Sequence, residues 1–128
     1  MIIHDKDCFL LDLDGTLLDL KFDHKFWFEY VVLCFSQKEK IEFEDAKNTL
    51  SELYKNERGT LKWYCTDYWS EKLGLDLKRI TETYMNDIQD FKGTHTFLTN
   101  LQSMKKTIII VSNAHRDTIN IKLTKTKL

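Results

Sequence analysis

Two short, uninterrupted apolar runs lie near opposite ends of the chain. The first is CFLL at residues 8–11, and the second is TIIIV at residues 107–111. Neither run alternates with polar residues, and such runs are typical of strands that are covered on both faces of a parallel sheet. The pattern therefore predicts an α/β fold with parallel strands near residues 8–12 and 107–111.

Most of the chain between these runs has the periodicity of amphipathic helices. A crossover between neighbouring parallel strands needs only a dozen or so residues, so this stretch is too long for a simple connection. We predict an inserted α-helical cap at residues 20–91, on a core formed by residues 1–19 and 92–128. Predicted helices run from Phe22 to about residue 35, from Ile41 towards Gly59, from Thr60 to Gly74, from Asp76 to Ile88, from Thr94 to Met104, and from after Asn113 to the chain end.

Composition and charge narrow the class of protein. The chain has 19 basic and 20 acidic residues, which leaves no basic surface for a nucleic acid and no polybasic membrane anchor. The three cysteines are widely spaced without a C-x-x-C pair, which is typical of reduced cytosolic thiols. No apolar run approaches the roughly 20 residues of a bilayer span. We expect a cytoplasmic protein without nucleic-acid or membrane partners.

The segment LLDLDGT at residues 10–16 carries the main chemical signal. An Asp-Gly pair between apolar runs is also typical of a type I′ hairpin, and the pattern alone leaves that alternative open. A hairpin gives no reason for four consecutive apolar residues before Asp12. It also leaves the polar residues Ser112 and Asn113, which follow the second predicted strand, without a role.

Phosphoryl transfer gives each of these residues a task. Asp12 at a strand end can attack phosphorus and form an aspartyl-phosphate. Asp14 points back to the same side, where it can protonate the leaving oxygen and then activate water. Gly15 permits a tight turn whose N–H groups approach phosphate oxygens, and Ser112 can donate a hydrogen bond to the phosphoryl group. A magnesium ion would offset the repulsion among the negative charges.

These motifs resemble those of a known superfamily. The segment DLDGTL at residues 12–17 is similar to the first motif of the haloacid dehalogenase (HAD) superfamily, and IIIVSN at residues 108–113 is similar to its second. The resemblance is closer to the purine 5′-nucleotidases that hydrolyse GMP and IMP, through residues 18–23, 63–71 and 112–115. It extends over essentially the whole chain and implies a partial HAD-like Rossmannoid core with a helical cap.

The resemblance also implies roles for single residues. Asp12 would be the nucleophile and Asp14 the general acid and base. The Asp12 carboxylate and the Asp14 backbone carbonyl would bind Mg²⁺. The substrate would be a small phosphomonoester, GMP or IMP. Within the enzyme class, the fallback is a sugar-phosphate phosphatase or a phosphomutase. The phosphate-binding residues would be Gly15, Thr16, Ser112 and Asn113.

Two pieces of the family's site have no counterpart in the sequence. One is a lysine that neutralises the phosphoryl oxygens, and the other is an acidic pair at a later strand end. Only 16 residues follow Ser112, and Lys122 and Lys125 lie on the helix directly after it, so neither is assigned the missing role. We therefore expect a truncated enzyme with little turnover. The alternative is an inactive remnant that at most binds phosphate or associates through an unpaired sheet edge.

Two further features have open interpretations. Trp63, Tyr64, Tyr68 and Trp69 could stack on a purine base, but their helical spacing favours the core of the cap. His115 could reach the substrate or could face solvent at a helix start. Neither alternative is resolved by the sequence.

Overall fold

A computed structural model describes residues 3–128; Met1 and Ile2, which fall in the predicted core segment, lie outside the described residues. The described chain contains a two-stranded sheet and a set of helices. The strands are β1 (Cys8–Leu11) and β2 (Thr107–Ile110). The α-helices are α1 (Lys21–Lys25), α2 (Val31–Glu39), α3 (Phe43–Glu57), α4 (Leu61–Tyr64), α5 (Thr66–Leu73), α6 (Leu77–Thr83), α7 (Thr94–Ser103) and α8 (Arg116–Thr126). A π-helical segment (Phe26–Tyr30) joins α1 to α2, and 3₁₀ turns occupy Ile3–Asp5 and Met85–Asp87.

The two strands pair in parallel, as the apolar runs predicted. Leu10 lies opposite Ile109 in the register, and the Val111 N–H donates to the Leu11 carbonyl at 2.8 Å just beyond the paired residues. Because β1 pairs with β2, the hairpin alternative for Asp14-Gly15 is excluded. Gly15 instead lies in a compact turn that leads out of β1, with φ +78°.

One face of this sheet is open, which contradicts the expectation that both faces would be covered. The side chain of Phe9 is buried, but Leu10 is 67% exposed and Ile109, its register partner, is 45% exposed. Val111 continues the same exposed apolar patch at 55%. Among the described residues the helices pack on the opposite face only, so these apolar side chains face outward.

The predicted helices are present, with shifted bounds. The helix predicted from Thr60 to Gly74 is broken at Cys65, whose extended backbone (φ −88°, ψ 104°) separates α4 from α5. The helix predicted to end at Ile88 stops at Thr83 and is followed by a 3₁₀ turn. The last helix starts at Arg116 because the extended His115 caps it, with its side chain accepting the Asp117 N–H.

The main core lies within the helical part of the chain and is rich in aromatic residues. Trp69 and Tyr54 are 0% and 1% exposed, and both have satisfied polar groups. The Trp69 indole N–H donates to the Trp63 carbonyl at 3.1 Å, and the Tyr54 hydroxyl donates to the Trp27 carbonyl at 2.9 Å. Burial raises the pKa of the Tyr54 hydroxyl, so it remains a donor. Large aromatic side chains can be buried this deeply because their polar tips are paired.

Two connecting segments run side by side between the sheet and the helices. The Asp19 N–H donates to the Gln89 carbonyl at 2.9 Å, and the Phe91 N–H donates to the Leu17 carbonyl at 3.0 Å. The Thr94 hydroxyl donates to the same Leu17 carbonyl at 2.9 Å. The predicted cap boundaries at residues 20 and 91 fall at these segments, and the division into two domains stays a prediction.

Within residues 3–128, every helix is too short or too polar to cross a lipid bilayer. The cytoplasmic location expected from the sequence stays a prediction.

Candidate active site

The structure places Asp12 and Ser112 at the same edge of the sheet. Asp12 directly follows β1 and is exposed, and its Oδ1 atom accepts the Leu13 N–H at 2.8 Å. Ser112 comes two residues after β2, and its Oγ atom accepts the Ala114 N–H at 3.1 Å. Because that bond uses an oxygen lone pair, the Ser112 hydroxyl hydrogen can still be donated. The carboxyl ends of adjacent parallel strands are the usual ligand site of an open α/β sheet.

The turn after β1 uses its N–H groups internally. The Gly15 N–H donates to the Leu18 carbonyl at 2.8 Å, and the Thr16 N–H donates to the Leu13 carbonyl at 3.3 Å. A Cβ atom on Gly15 would lie 3.2 Å from the Leu20 side chain, in a backbone region that favours glycine. The phosphate contacts predicted for Gly15, Thr16 and the exposed Asn113 stay predictions. The N–H groups of Gly15 and Thr16 already donate within the turn, so a phosphate oxygen would have to share them.

Asp14 is turned towards a buried lysine. Lys122 on α8 is 1% exposed, and its Nζ atom lies 2.6 Å from Asp14 Oδ1 and 2.6 Å from Asp23 Oδ1. Asp23 belongs to α1, so this cluster joins the turn after β1, the first helix and the last helix. One ammonium group therefore holds two carboxylates from distant parts of the chain.

The cluster of Asp14, Lys122 and Asp23 has one more negative than positive charge when all three groups are ionised. The Asp23 Oδ2 atom is shielded from solvent and has no hydrogen-bond partner among the described residues. Burial raises the pKa of Asp23, the Lys122 ammonium opposes that shift, and the Asp14 carboxylate adds to it. An unpaired buried acceptor is costly, and this cost adds to the reasons why ionised Asp23 is disfavoured.

Sequence reasoning left Lys122 out of the site because it lies on the helix just after the second motif. That helix folds back so that Lys122 reaches Asp14, which is 108 residues earlier in the chain. A signal was present in the spacing: Lys122 is three residues after Ile119 and four before Thr126, which places it on the inward face of α8. Thr126 is buried and Ile119 is partly buried on that face.

A cavity of about 380 Å³ opens beside Asp14 and Asp23. Its volume falls within the range of small-molecule sites, and aromatic side chains make up much of its lining. We use the name aromatic wall for four of these lining residues, Trp27, Phe28, Trp63 and Tyr64. The rings of Trp27 and Trp63 stack with centroids 5.3 Å apart and an interplanar angle of 27°.

The four aromatic residues singled out in the sequence divide between two roles. Trp63 and Tyr64 line the cavity, and Tyr64 is 40% exposed. Trp69 is fully buried in the core. The Tyr68 hydroxyl donates to Glu57 Oε1 at 2.8 Å, and its ring packs edge-on against Trp69. The preference for core packing therefore holds for Trp69, whereas Trp63 and Tyr64 are placed where a ligand could contact them.

His115 lines the same cavity and bridges to α5. The Asp117 N–H donates to His115 Nδ1 at 3.2 Å, so the proton of the neutral ring lies on Nε2. That nitrogen lies 3.0 Å from Asp67 Oδ2. One ligand atom from each of Asp67, His115 and Asp117 lies within 4.8 Å of the others, so this group has the donors to hold a metal ion. Both ring nitrogens are engaged in hydrogen bonds, and the three residues are different from those that the sequence assigned to the magnesium site.

Comparisons with known proteins agree on one family. A sequence model described as haloacid dehalogenase-like hydrolase matches residues 6–128. The chain is 39% identical over 124 residues to the GMP/IMP nucleotidase YrfG of Escherichia coli (strain K12) and equally to that of Shigella flexneri. The match covers 97% of the chain and 56% of each relative, so the chain spans about half the length of these proteins.

A solved structure has the same fold. The crystal structure of a HAD phosphatase from Thermococcus onnurineus aligns with a TM-score of 0.80 at 22% identity. The alignment covers 96% of this chain and 57% of the other. At this identity the likeness shows the fold, and it agrees with a partial Rossmann-like core.

Proposed function

This chain belongs to the haloacid dehalogenase-like hydrolase family, and on that premise we propose that it carries the phosphoryl-transfer residues of a phosphomonoester hydrolase. The observation that carries the proposal is the placement of Asp12 and Ser112 at adjacent strand ends, with Asp14 beside a cavity of about 380 Å³. The phosphate would sit at the strand ends and the organic part of the substrate in the cavity.

The reaction follows from the positions of these side chains. A carboxylate oxygen of Asp12 attacks phosphorus, and the bond from phosphorus to the leaving oxygen breaks while Asp14 gives that oxygen a proton. Water then attacks the aspartyl-phosphate, Asp14 takes the water's proton, and the Asp12 carboxylate is released with inorganic phosphate. The Ser112 hydroxyl donates to a phosphoryl oxygen throughout. Lys122 fixes one oxygen of Asp14, which leaves the other for the proton transfers.

Magnesium fits this arrangement by its donor chemistry. The Asp12 carboxylate and the Asp14 backbone carbonyl offer oxygen atoms, which Mg²⁺ prefers, and Asp12 is exposed enough to accept a hydrated ion. When bound, the ion supplies positive charge that offsets repulsion between Asp12 and the phosphate.

We further propose a purine nucleoside 5′-monophosphate, GMP or IMP, as the substrate. The name of the Escherichia coli relative and the aromatic wall beside Asp14 both support this choice. The predicted cap of residues 20–91 would then select the substrate, because Trp27, Phe28, Trp63 and Tyr64 all belong to it.

Phosphate release from IMP and GMP in the presence of Mg²⁺ tests the proposed chemistry. Replacing the nucleophile, Asp12→Asn, should lower release by roughly 10³-fold or more, because no aspartyl-phosphate can form. Asp45→Asn makes the same change at an exposed position on α3 and should leave the rate as it is. A folded wild-type chain that releases no more phosphate than Asp12→Asn would contradict the proposal and would favour the inactive remnant.

The open sheet face supports a second proposal, that the chain associates with another copy of itself. Leu10, Ile109 and Val111 form an exposed apolar patch, and unpaired strand edges promote such contacts. Ile109→Lys should shift sedimentation of concentrated protein from dimer or larger species to monomer. Leu61→Lys removes an apolar side chain that is 79% exposed on α4 and should have no such effect. A wild-type chain that stays monomeric at every concentration would show the proposal to be wrong.

A further inference from the structure

A second cavity, of about 350 Å³, opens beside the end of β2 and is lined by side chains that can bind an anion. These side chains are Ser112, Arg116 and Asn120. We propose that this cavity binds a phosphate group, with Arg116 as its cationic partner and with Ser112 and Asn120 as hydrogen-bond donors. The inference rests on the proposed function for the role of Ser112 and adds two residues of α8 to it.

The charge of the lining distinguishes the two cavities. Among the described residues that line the second cavity, Arg116 carries the single charge and no carboxylate is present. The first cavity is lined by two carboxylates, those of Asp14 and Asp23. Because a phosphate group is attracted by a cation and repelled by carboxylates, the second cavity suits the phosphate better than the first.

The guanidinium group of Arg116 is available for a ligand. Its side chain is exposed, and no carboxylate among residues 3–128 forms an ion pair with it. Arg116 is the first residue of α8, where a positive charge is unfavourable because the helix dipole already makes this end positive. The helix therefore gains nothing from this cation, whereas a bound phosphate would pair with it. A guanidinium can hold two phosphate oxygens with parallel N–H donors, and such bonds are stronger than neutral ones.

Two neutral donors complete the polar part of the lining. The Ser112 Oγ atom accepts the Ala114 N–H at 3.1 Å, so its hydroxyl hydrogen remains for a phosphate oxygen. Asn120 lies four residues after Arg116 and thus on the same face of α8, and its side-chain amide has two hydrogens to donate. The other side chains of the lining are mostly apolar, which excludes part of the water and strengthens the attraction between charges. These apolar side chains belong to Ile110, Ile119 and Leu123.

The two cavities meet at Ala114, which lines both of them. His115 and Thr118 line the first cavity, whereas Arg116 and Asn120 line the second, so the start of α8 separates the two. A nucleotide with its phosphate in the second cavity could extend past Ala114 into the first. Free inorganic phosphate offers the same chemistry without an organic part, and the two sources are separated by competition.

A titration with inorganic phosphate tests the site without turnover. NMR spectra of the isotope-labelled wild-type chain, at an ionic strength held constant with sodium chloride, should show saturable shifts of the Ser112, Arg116 and Asn120 signals. Arg116→Gln should weaken phosphate binding roughly 10-fold or more, because hydrogen bonds between charged groups are lost. Arg79→Gln makes the same change at an exposed position on α6 and should leave the dissociation constant as it is.

Two further measurements separate a ligand contact from an effect on folding. Arg116→Lys keeps the charge but loses the parallel N–H donors, so its affinity for phosphate should lie between those of the wild type and Arg116→Gln. Phosphate should raise the thermal midpoint of the wild-type chain and raise that of Arg116→Gln much less. Because the cation is unfavourable at the start of α8, Arg116→Gln should fold as well as the wild type, and circular dichroism verifies this.

Three results would overturn the site. The first is a set of shifts that does not saturate with phosphate, and the second is a set of shifts that sodium chloride alone reproduces. The third is equal phosphate binding by the wild-type chain and Arg116→Gln.

Competition with IMP, in EDTA to prevent metal-dependent hydrolysis, identifies the source of the phosphate. Displacement of inorganic phosphate by IMP would mean that the site receives the phosphoryl group of the nucleotide. Inorganic phosphate that stays bound at high IMP concentrations would mean that the site takes free phosphate. Both results support the anion site, provided that Arg116→Gln weakens the binding of phosphate.

These measurements separate the inference from the proposed function. Phosphate binding that depends on Arg116, in a chain that releases no phosphate from IMP, supports the site and counts against the proposed chemistry. Phosphate release from IMP by a chain whose phosphate binding is insensitive to Arg116→Gln supports the chemistry and overturns the site.

Discussion

Lys122→Met is expected to lower the free energy of unfolding by about 3 kcal/mol, at the lower end of the cost of breaking a buried ion pair. The substitution keeps the length of the side chain but leaves Asp14 and Asp23 facing each other without a cation. Their side chains are 22% and 27% exposed, so water relieves part of the repulsion. Because the lysine is almost wholly buried, no cation from the solvent can take its place.

Urea unfolding at neutral pH measures this loss, and substitution of the two carboxylates tests its cause. Adding Asp14→Asn and Asp23→Asn to Lys122→Met should recover most of the stability, since the triple variant has no unpaired charge. Lys125→Met on the same helix should cost no more than about 0.5 kcal/mol. If the triple variant is as unstable as Lys122→Met, then lost packing rather than unpaired charge explains the effect.

The dependence on pH gives a second check with a defined sign. Burial already raises the pKa of Asp23 above its ordinary value of 3.8, so the folded chain binds this proton more readily than the unfolded chain. Ionised Asp23 therefore destabilises the fold at neutral pH, and that cost disappears as the pH falls through the raised pKa. Without Lys122 the cost is larger, so the difference between Lys122→Met and wild type should shrink on acidification. A difference that stays constant down to pH 4 would contradict this account.

Local sequence patterns were sufficient for the parts of the site that lie at strand ends. Four consecutive apolar residues before Asp12 predicted a strand, and the abrupt change to polar residues predicted where its chain would leave the sheet. The same reasoning placed Ser112 after the second strand. The end of each strand depends only on neighbours in the chain, and the structure confirms both positions. The edge that they share follows from the parallel pairing of β1 with β2.

Contacts between distant segments could not be predicted in the same way. The pairing of Lys122 with Asp14 and Asp23 depends on how α8 packs against the first helix and the turn after β1. Nothing within a few residues of Lys122 distinguishes a buried lysine from a solvated one, apart from its place on the inward face of α8. The division of the aromatic residues between wall and core depends likewise on the break at Cys65, which rotates Trp63 relative to Trp69.

The open sheet face shows a different limit of sequence patterns. An apolar run indicates that both faces of a strand are suited to burial, but it does not say what covers them. Leu10 and Ile109 have the composition of covered strand residues and are nonetheless exposed among the described residues. The prediction of two-sided burial was wrong for this chain because the elements described here cover one face only.

The second large effect is expected at Trp69, where Trp69→Ala should lower the free energy of unfolding by about 3–5 kcal/mol. The side chain is fully buried, touches the rings of Trp27, Tyr54, Trp63 and Tyr68, and donates its indole N–H to the Trp63 carbonyl. Its removal leaves a large cavity and an unpaired carbonyl at the end of α4. Such a loss is a large part of the 5–15 kcal/mol that stabilises a typical domain.

Trp63→Ala is the matched comparison, since it removes the same side chain six residues earlier. Because Trp63 lines the cavity and is only partly buried, its removal should cost less than half as much in urea unfolding. In nucleotide binding the order should be reversed, because Trp63 lines the cavity and Trp69 does not. Equal destabilisation by both substitutions would show that the aromatic wall belongs to the core, and it would leave the cavity without a surface for the base.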